Sequence, residues 1–217
     1  FIWESSFPKD IYVSSAFTNP TEQNKVTEMM TAWETALNGY NFFTMAGAET
    51  EKTTTITSTN QLRDNILGIY KAGPGDWPYP EYPDALAITQ IFAIRYNRGE
   101  SNEYVAIQEA DIIMNFEGFN FDDPLTFDYD FRTVLLHELG HFLGLQHKPR
   151  SYPRANTVMY PSIFSDEVKQ APLLVDKQDM AAKYSITLPL TAGGSAIVSE
   201  PSRSYTKKAG DSGEMTK

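Results

Sequence analysis

Hydrophobic and polar positions follow first a strand period and then a helix period near the start of the chain. Residues 11–17 are β-branched and aromatic, which predicts a strand. Asn19 and Pro20 follow as an N-cap and a first helical residue, and apolar side chains then recur at helical spacing as far as Leu37. The pattern predicts an amphipathic helix that buries its methionine and tryptophan side chains in the core.

Several more strands are predicted beyond this helix. Residues 41–45 and 53–57 are strand candidates whose pairing the sequence leaves open, and residues 65–71 are a clearer one. Residues 85–96 and 103–116 are apolar and β-branched with turn residues between them, so they predict a hairpin.

The rest of the chain combines loops with one more helix. Residues 72–84 contain four prolines and three aromatics, which predicts an irregular loop held against the body by its rings. A last helix is predicted over residues 176–186. Residues 188–217 have no period and are rich in glycine, serine and lysine, so we expect one folded domain over residues 1–187 and a low-complexity tail. One hypothesis is that the tail docks in a cleft.

The size, charge and amino-acid composition of the chain argue against several classes of function. The 217 residues suffice for one domain with a sizeable core. A net charge of −10 and a pI near 4.8 argue against nucleic acid as a partner, and no apolar stretch is long enough for a membrane span. Without cysteine there are no disulfides, thiolate metal sites or cysteine nucleophiles. The first residues have no initiator methionine, basic segment or apolar segment of a signal peptide, so we expect a mature or trimmed N-terminus from which any targeting peptide has been removed. We expect a monomer that is secreted or held in the cell envelope.

All three histidines lie in the segment HELGHFLGLQH, residues 137–147. His137 and His141 are four residues apart, which places both imidazoles on one face of a helix that Asp130 would cap. Two rings so placed can bind one zinc ion at about 2.0–2.1 Å. Glu138 lies beside the first ligand, where its carboxylate can reach a water on the metal and act as general base.

His147 needs a different backbone path, because six further helical residues would turn it away from the metal. Gly144 stands where a residue with positive φ would end the helix and return His147 to the ion. Three protein ligands leave one position open for water, as in catalytic zinc sites. The alternative, a helix with three incidental histidines, does not account for the extended spacing.

The spacing HExxHxxGxxH followed by a methionine turn resembles that of the metzincin zinc peptidases. Met159, in TVMYPS, is in position to be that turn and to form a hydrophobic base under the metal. The MYP form is similar to matrixins, in particular to small bacterial relatives of the matrix metalloproteinases, and the resemblance extends over most of residues 9–186. It implies an α+β, zincin-like fold with a twisted, mostly parallel five-stranded sheet, an antiparallel edge strand, an active-site helix, the Met-turn and a C-terminal helix.

The resemblance also implies a zinc endopeptidase whose polypeptide substrate lies extended along the edge strand. Leu86 and Ala87 would supply backbone hydrogen bonds to that substrate. Tyr160 and Thr133 match positions that wall the S1′ pocket, and residues 162–175 would close its floor.

Some residues depart from the matrixin pattern. Lys148 stands where the family usually has serine or another small residue. Ile88 and Ile113 occupy the strand positions of the histidines that hold a second, structural zinc. We therefore expect one zinc per chain, with the loop of residues 72–84 pinning this region in place of the metal.

An acidic cluster precedes the active-site helix and consists of Glu117, Asp122, Asp123, Asp128 and Asp130. Matrixins bind structural calcium in this part of the fold, and carboxylates suit calcium. Calcium is therefore a second candidate ion, but the spacing matches no dedicated calcium motif and favours an ordinary solvated acidic loop.

Three functions fit these features to different degrees. The leading hypothesis is a secreted zinc endopeptidase with Glu138 as general base. Residues 1–187 would be its metzincin-type catalytic domain, and the docked tail would be an autoinhibitory contact. A zinc hydrolase of a narrower amide, such as a cell-wall peptide, would use the same site. A non-catalytic binding module on a protease fold is the third, and the retained Glu138 argues against it.

Overall fold

The computed structural model describes residues 1–49, 59–121, 128–188 and 214–216. Within these ranges no helix combines the length and the apolar character that a bilayer crossing requires. The predicted strand at residues 53–57 lies outside the described residues.

The described chain forms strands and helices in the order expected of an α+β fold. The strands are β1 (Ile2–Trp3), β2 (Lys9–Ser14), β3 (Phe43–Glu49), β4 (Leu67–Ala72), β5 (Ala87–Tyr96), β6 (Tyr104–Asn115) and β7 (Glu214–Thr216). The α-helices are α1 (Pro20–Ala36), α2 (Phe131–Phe142) and α3 (Leu174–Tyr184). Two short 3-10 helices cover Thr59–Leu62 and Arg154–Asn156.

One twisted sheet contains all the strands, in the order β3-β2-β4-β6-β5-β7, with β1 beside the first half of β6. The pairs formed by β1, β2, β3 and β4 are parallel, and β5 is antiparallel to β6. The five predicted strands form the body of the sheet, and the mostly parallel metzincin-like architecture is confirmed. The sheet has seven strands rather than five, because two short segments near the chain ends add to it.

Helix α1 begins and ends at the residues that the sequence marks. The side chain of Asn19 accepts a hydrogen bond from Thr21 N at 2.9 Å, and Pro20 occupies the first turn. At the other end Gly39, with φ of +74°, donates from its N–H to Glu34 O at 2.8 Å. The buried face carries Trp33, whose indole N–H donates to Leu136 O of α2 at 3.0 Å. This contact joins the two helices over the sheet.

Successive side chains of β5 point to opposite faces of the sheet and so belong to two different hydrophobic clusters. Ala87 belongs to the main core, whereas Ile88 faces the other side and packs in a second cluster with Tyr79 and Ile113. Tyr79 comes from the loop of residues 72–84. The two isoleucines, which the resemblance places where matrixins hold a second zinc, therefore pack with an aromatic ring of the loop of residues 72–84.

Candidate metal centre

The first two histidines project from the middle of α2. The helix begins after Asp130, whose Oδ2 accepts a hydrogen bond from Thr133 N at 2.7 Å, as the N-cap prediction requires. His137 is buried and His141 is half-buried, and their ring centroids are 4.7 Å apart. The four-residue separation thus brings both imidazoles to one side of α2.

The chain leaves α2 at Gly144 and turns back toward the cleft. Gly144 has φ of +89°, and a Cβ there would lie 2.6 Å from the carbonyl oxygen of Phe1, so glycine is required on both counts. Beyond this turn His147 returns to the helix. Its Nε2 lies 3.1 Å from His137 Nε2 and 3.0 Å from His141 Nε2. The structure therefore brings the three predicted ligands together.

The three imidazoles present a donor set that fits zinc. Nδ1 of His137 lies 2.7 Å from Val158 O and Nδ1 of His141 lies 2.9 Å from Leu145 O, so each can donate its N–H to a carbonyl. In that tautomer the Nε2 atoms carry lone pairs. Lone pairs of neutral rings that face one another at 3.0–3.1 Å repel unless a cation lies between them. Three converging nitrogens, with carbonyl partners behind the rings of His137 and His141, match a catalytic zinc site.

Burial sets the charge of the groups at this centre. It lowers the pKa of His137 well below its usual range; the neighbouring His141 lowers it further, while the hydrogen bond to Val158 O opposes the shift. The neutral ring is the form that binds metal. Burial raises the pKa of the Glu138 carboxyl, and His141 and the hydrogen bonds from Thr89 oppose that rise. A raised pKa suits a carboxylate that must take up a proton near neutral pH.

Glu138 lines the same cleft as the histidines, and the residue as a whole is 6% exposed. The hydroxyl oxygen of Thr89, in β5, lies 2.6 Å from Glu138 Oε2 and 3.1 Å from the backbone oxygen of Glu138. Helix α2 and the edge of the sheet therefore meet at the carboxylate expected to act as base.

Met159 is almost fully buried and packs against α2 at Gly140. A Cβ at Gly140 would lie 2.4 Å from Met159 Sδ and 3.2 Å from the ring of Trp33, so only glycine admits the methionine there. Gly140 immediately precedes His141. Met159 thus contacts the helix that carries the histidines, in the position expected of the Met-turn.

The segment that carries Met159 is fixed to α3 by one buried carboxylate. Asp176 accepts hydrogen bonds from Val158 N at 2.8 Å and Leu173 N at 3.0 Å, and also from the hydroxyl of Thr157. Since Val158 O is the partner of His137 Nδ1, this tether leads directly to a predicted ligand.

The substrate-binding residues predicted from the resemblance have different positions in the structure. Leu86, Ala87 and Tyr160 line the cleft with the three histidines. Thr133 does not: it is buried, and its hydroxyl lies between Asp130 Oδ2 and the backbone of Lys169. The side chain that α2 contributes to the cleft wall here is the next one, Val134.

The departures from the matrixin pattern also have local partners. Lys148 forms an ion pair with Asp179 of α3, and its backbone N–H donates to Met159 O at 2.8 Å.

In the acidic cluster, Glu117 Oε2 accepts from the N–H groups of Gly75 and Trp77 at 3.0 Å each. Asp122 and Asp123 lie outside the described residues. The calcium hypothesis stays a prediction.

Three residues of this centre were not predicted from the sequence as functional: Thr89, Gly140 and Asp176. A hydroxyl in the edge strand and a carboxylate in the last helix carry no local pattern that marks them. Gly140 lies inside the histidine motif, and a glycine in a helix interior is itself a signal of close packing.

The chain matches the sequence model of a known family. The sequence model of the matrixin peptidases, Peptidase_M10, matches residues 101–186, which include β6, α2, the three histidines, Met159 and α3. Comparison with curated proteins finds no match. The match covers the part of the chain in which the metal centre lies, and the sheet and helices are those of a metzincin-like fold. The chain therefore contains a matrixin-like metallopeptidase domain.

Proposed function

We propose that this protein is a zinc-dependent endopeptidase that cleaves extended polypeptides with Glu138 as general base. One observation carries the proposal: the converging histidine nitrogens and the Glu138 carboxylate line one cleft, along which β5 runs as an edge. The alternative function, a non-catalytic binding module, gives no role to this carboxylate.

The chemistry divides between the ion and the side chains. Zinc held by the three histidines would acidify a bound water and polarise the scissile carbonyl. Glu138 lies next to His137 in the chain and next to the histidine rings in the cleft, with Oε2 held by Thr89. Its other oxygen, Oε1, is the atom that we expect to accept the proton of the attacking water. The same oxygen then returns the proton to the leaving amine.

Substrate would add to β5 as a further strand. The carbonyl of Leu86 accepts a hydrogen bond from Asn115 N at 3.0 Å and is therefore committed to the sheet. Backbone groups alternate in direction along an antiparallel strand, so those of Ala87 are directed to the open edge. Ala87 is accordingly the backbone partner that we propose for the peptide, and Leu86 contributes to the cleft wall.

A glutamine at position 138 tests the catalytic role. We expect Glu138→Gln to retain zinc and to lose several orders of magnitude in rate, because only the base is removed. The control is His141→Ala, which should lose both zinc and activity, since two histidines bind the ion poorly. The measurements are zinc content after dialysis and initial rates on an unfolded protein substrate. Full activity in Glu138→Gln would contradict the proposal.

A peptide library separates the proposed endopeptidase from a hydrolase of one narrow amide. Cleavage of many sequences supports the former, and cleavage restricted to cell-wall peptides supports the latter. A location outside the cytoplasm, secreted or in the cell envelope, is proposed on the resemblance to matrixins, which are typically extracellular.

A further inference from the structure

We infer that Thr89 is a positioning residue that holds the Glu138 carboxylate in its working orientation. The inference rests on the proposed function of Glu138. Thr89 and Glu138 are 49 residues apart in sequence, and the contact joins β5 to α2. The role is separate from metal binding, because Thr89 offers its hydroxyl to the base and the three histidines converge without it.

Strand alternation explains why the hydroxyl reaches the base. Ile88 faces the second cluster, under Tyr79, so its neighbours Ala87 and Thr89 face α2. Thr89 also lines the cleft. A side chain at this position is therefore directed to Glu138 by the pleat of β5, and its β-branched form restricts rotation about χ1.

The hydrogen bond selects between the two carboxylate oxygens. Thr89 Oγ1 has one proton to donate and lies closer to Glu138 Oε2, at 2.6 Å, than to the backbone oxygen of Glu138, at 3.1 Å. An ionised acceptor attracts that proton more strongly than a peptide carbonyl. With Oε2 occupied in this way, Oε1 is left for the water. Without the hydroxyl, only the backbone hydrogen bond from Thr89 remains on this carboxylate, and rotation about its terminal torsion, which is broad for glutamate, is less restricted.

The contact also links the base to the strand on which substrate is proposed to pair. Thr89 is two residues from Ala87 on the same face of β5. Because β5 is held to β6 along its whole length, the hydroxyl has a fixed position relative to the peptide backbone and to α2. The effect of Thr89 should therefore be on turnover, not on substrate affinity.

Substitutions at position 89 separate the hydroxyl from the shape of the side chain. Thr89→Val keeps the β-branched shape and removes the donor, and Thr89→Ser keeps the donor. We expect Thr89→Val to lower kcat about 10-fold, the size of a hydrogen bond to a charged group, with KM changed less than about 2-fold. Thr89→Ser should recover kcat to within about 3-fold of the parent.

The matched control is Thr44→Val, the same change at an exposed position of β3 on the opposite edge of the sheet. It should leave kcat and KM unchanged. Two further measurements do not depend on activity, namely zinc content and crystal structures of the variants. Zinc content should stay at the parent value in all of them. A crystal structure of Thr89→Val should show the Glu138 carboxylate rotated or in two orientations, and one of Thr89→Ser should show the parent orientation.

The outcomes separate this inference from the proposed function. If Glu138→Gln is inactive while Thr89→Val keeps full kcat, the proposed positioning role of Thr89 is wrong and the proposed general-base role of Glu138 is supported. If Thr89→Val and Thr89→Ser lose kcat equally, or if Thr89→Val loses zinc, the threonine has a structural role and the inference is overturned. An active Glu138→Gln would overturn both.

Discussion

His137 is the most deeply enclosed of the three metal-binding candidates, and its environment favours the neutral ring. Burial among apolar neighbours lowers its pKa, and a second imidazole at close range acts in the same direction. The unfolded chain has an ordinary histidine with a pKa near 6.5. Between that value and the lower folded value, the unfolded state therefore binds more protons than the folded state.

A pH dependence of stability follows for the zinc-free protein. Because the unfolded chain binds more protons, the free energy of unfolding rises with pH in this range. The contribution of His137 to stability is therefore lost as the pH falls below about 6.5 toward the lower folded pKa. We expect the Tm of the zinc-free parent to fall more between pH 7 and pH 5.5 than the Tm of zinc-free His137→Asn. Thermal unfolding of both proteins at the two pH values is the measurement. Equal losses would show that His137 does not contribute to the pH dependence.

Single residues were predictable from the sequence only where a motif fixes their spacing. The histidines and Glu138 lie within eleven residues of one another, so helix geometry and one turn at Gly144 are enough to bring them together. Thr89 reaches the same site through the pairing of β5 and the packing of α2 across 49 residues. No local pattern encodes that contact.

At the scale of elements, the Met-turn is held by a helix that follows it in the chain. Asp176, in the first turn of α3, is fully buried and accepts from Val158 N, Leu173 N and the Thr157 hydroxyl. The position also suits the positive end of the helix dipole. The last helix thereby fixes the backbone oxygen of Val158, which orients His137.

Removing the negative charge of Asp176 should weaken this tether. We expect Asp176→Asn to lower the free energy of unfolding by about 2–3 kcal/mol, because an amide can accept fewer of the three hydrogen bonds and leaves buried donors unsatisfied. Zinc affinity should fall as well, since the partner of His137 loses its support. The control is Asp179→Asn, in the same helix but half-exposed, where the lost pair with Lys148 should cost less than about 1 kcal/mol. Chemical denaturation and zinc titration are the measurements, and equal effects of the two variants would contradict the expectation.

Elements with clear patterns were predicted well, and short ones were not. Helix α1 begins at its predicted cap, and the β5–β6 hairpin turns at Asn97 and Gly99, both with positive φ. Strands β1 and β7 have two and three residues, which is too short for any period to be visible. Sequence position alone did not show that the Thr133 hydroxyl binds the backbone of the neighbouring loop and that Val134 lines the cleft beside it.

For the whole molecule, the packing around β5 bears on the number of metal ions. Ile88 and Ile113 are paired across β5 and β6 and pack with Tyr79, which is buried and donates to Gln90 Oε1 at 3.2 Å. Apolar side chains and an aromatic ring offer no zinc ligands. In the described ranges, the one group of histidine and acidic side chains arranged to bind a metal is the histidine triad.

The protein should therefore hold one zinc ion per chain. A second tight zinc site would need nitrogen or sulfur ligands, and with no cysteine and all three histidines engaged only carboxylates are left. Metal analysis of dialysed protein should give about one equivalent of zinc. His141→Ala should give almost none. Two tightly held equivalents in the parent would contradict this expectation.

The C-terminal strand β7 occupies the part of the β5 edge that lies beyond the cleft. It is antiparallel to β5, with Thr216 opposite Ala93 and Glu214 opposite Arg95, so it runs toward the cleft. A peptide paired antiparallel at Ala87 would have the same direction, and its N-terminal residues would extend along β5 toward Ala93. Ala93 lies six residue steps beyond Ala87 along β5, about 20 Å, so a long substrate would reach the edge that β7 uses.

We therefore predict competition between the tail and long substrates. Ending the chain after Leu190 removes β7 and should raise the initial rate on an unfolded protein, whereas the rate on a peptide of about six residues should not change, since it is too short to reach β7. Thr216→Pro, in the full-length chain, should act in the same direction. Thr216 lies opposite Ala93, whose backbone groups face β7 by the same alternation, and proline cannot donate a hydrogen bond within the ladder. Parallel assays of parent, truncated and proline variants on both substrates are the measurement. If truncation leaves the rate on the protein substrate unchanged, the tail does not compete for the edge of β5, and if it raises both rates equally, the tail acts at the metal centre and not at the far end of the strand.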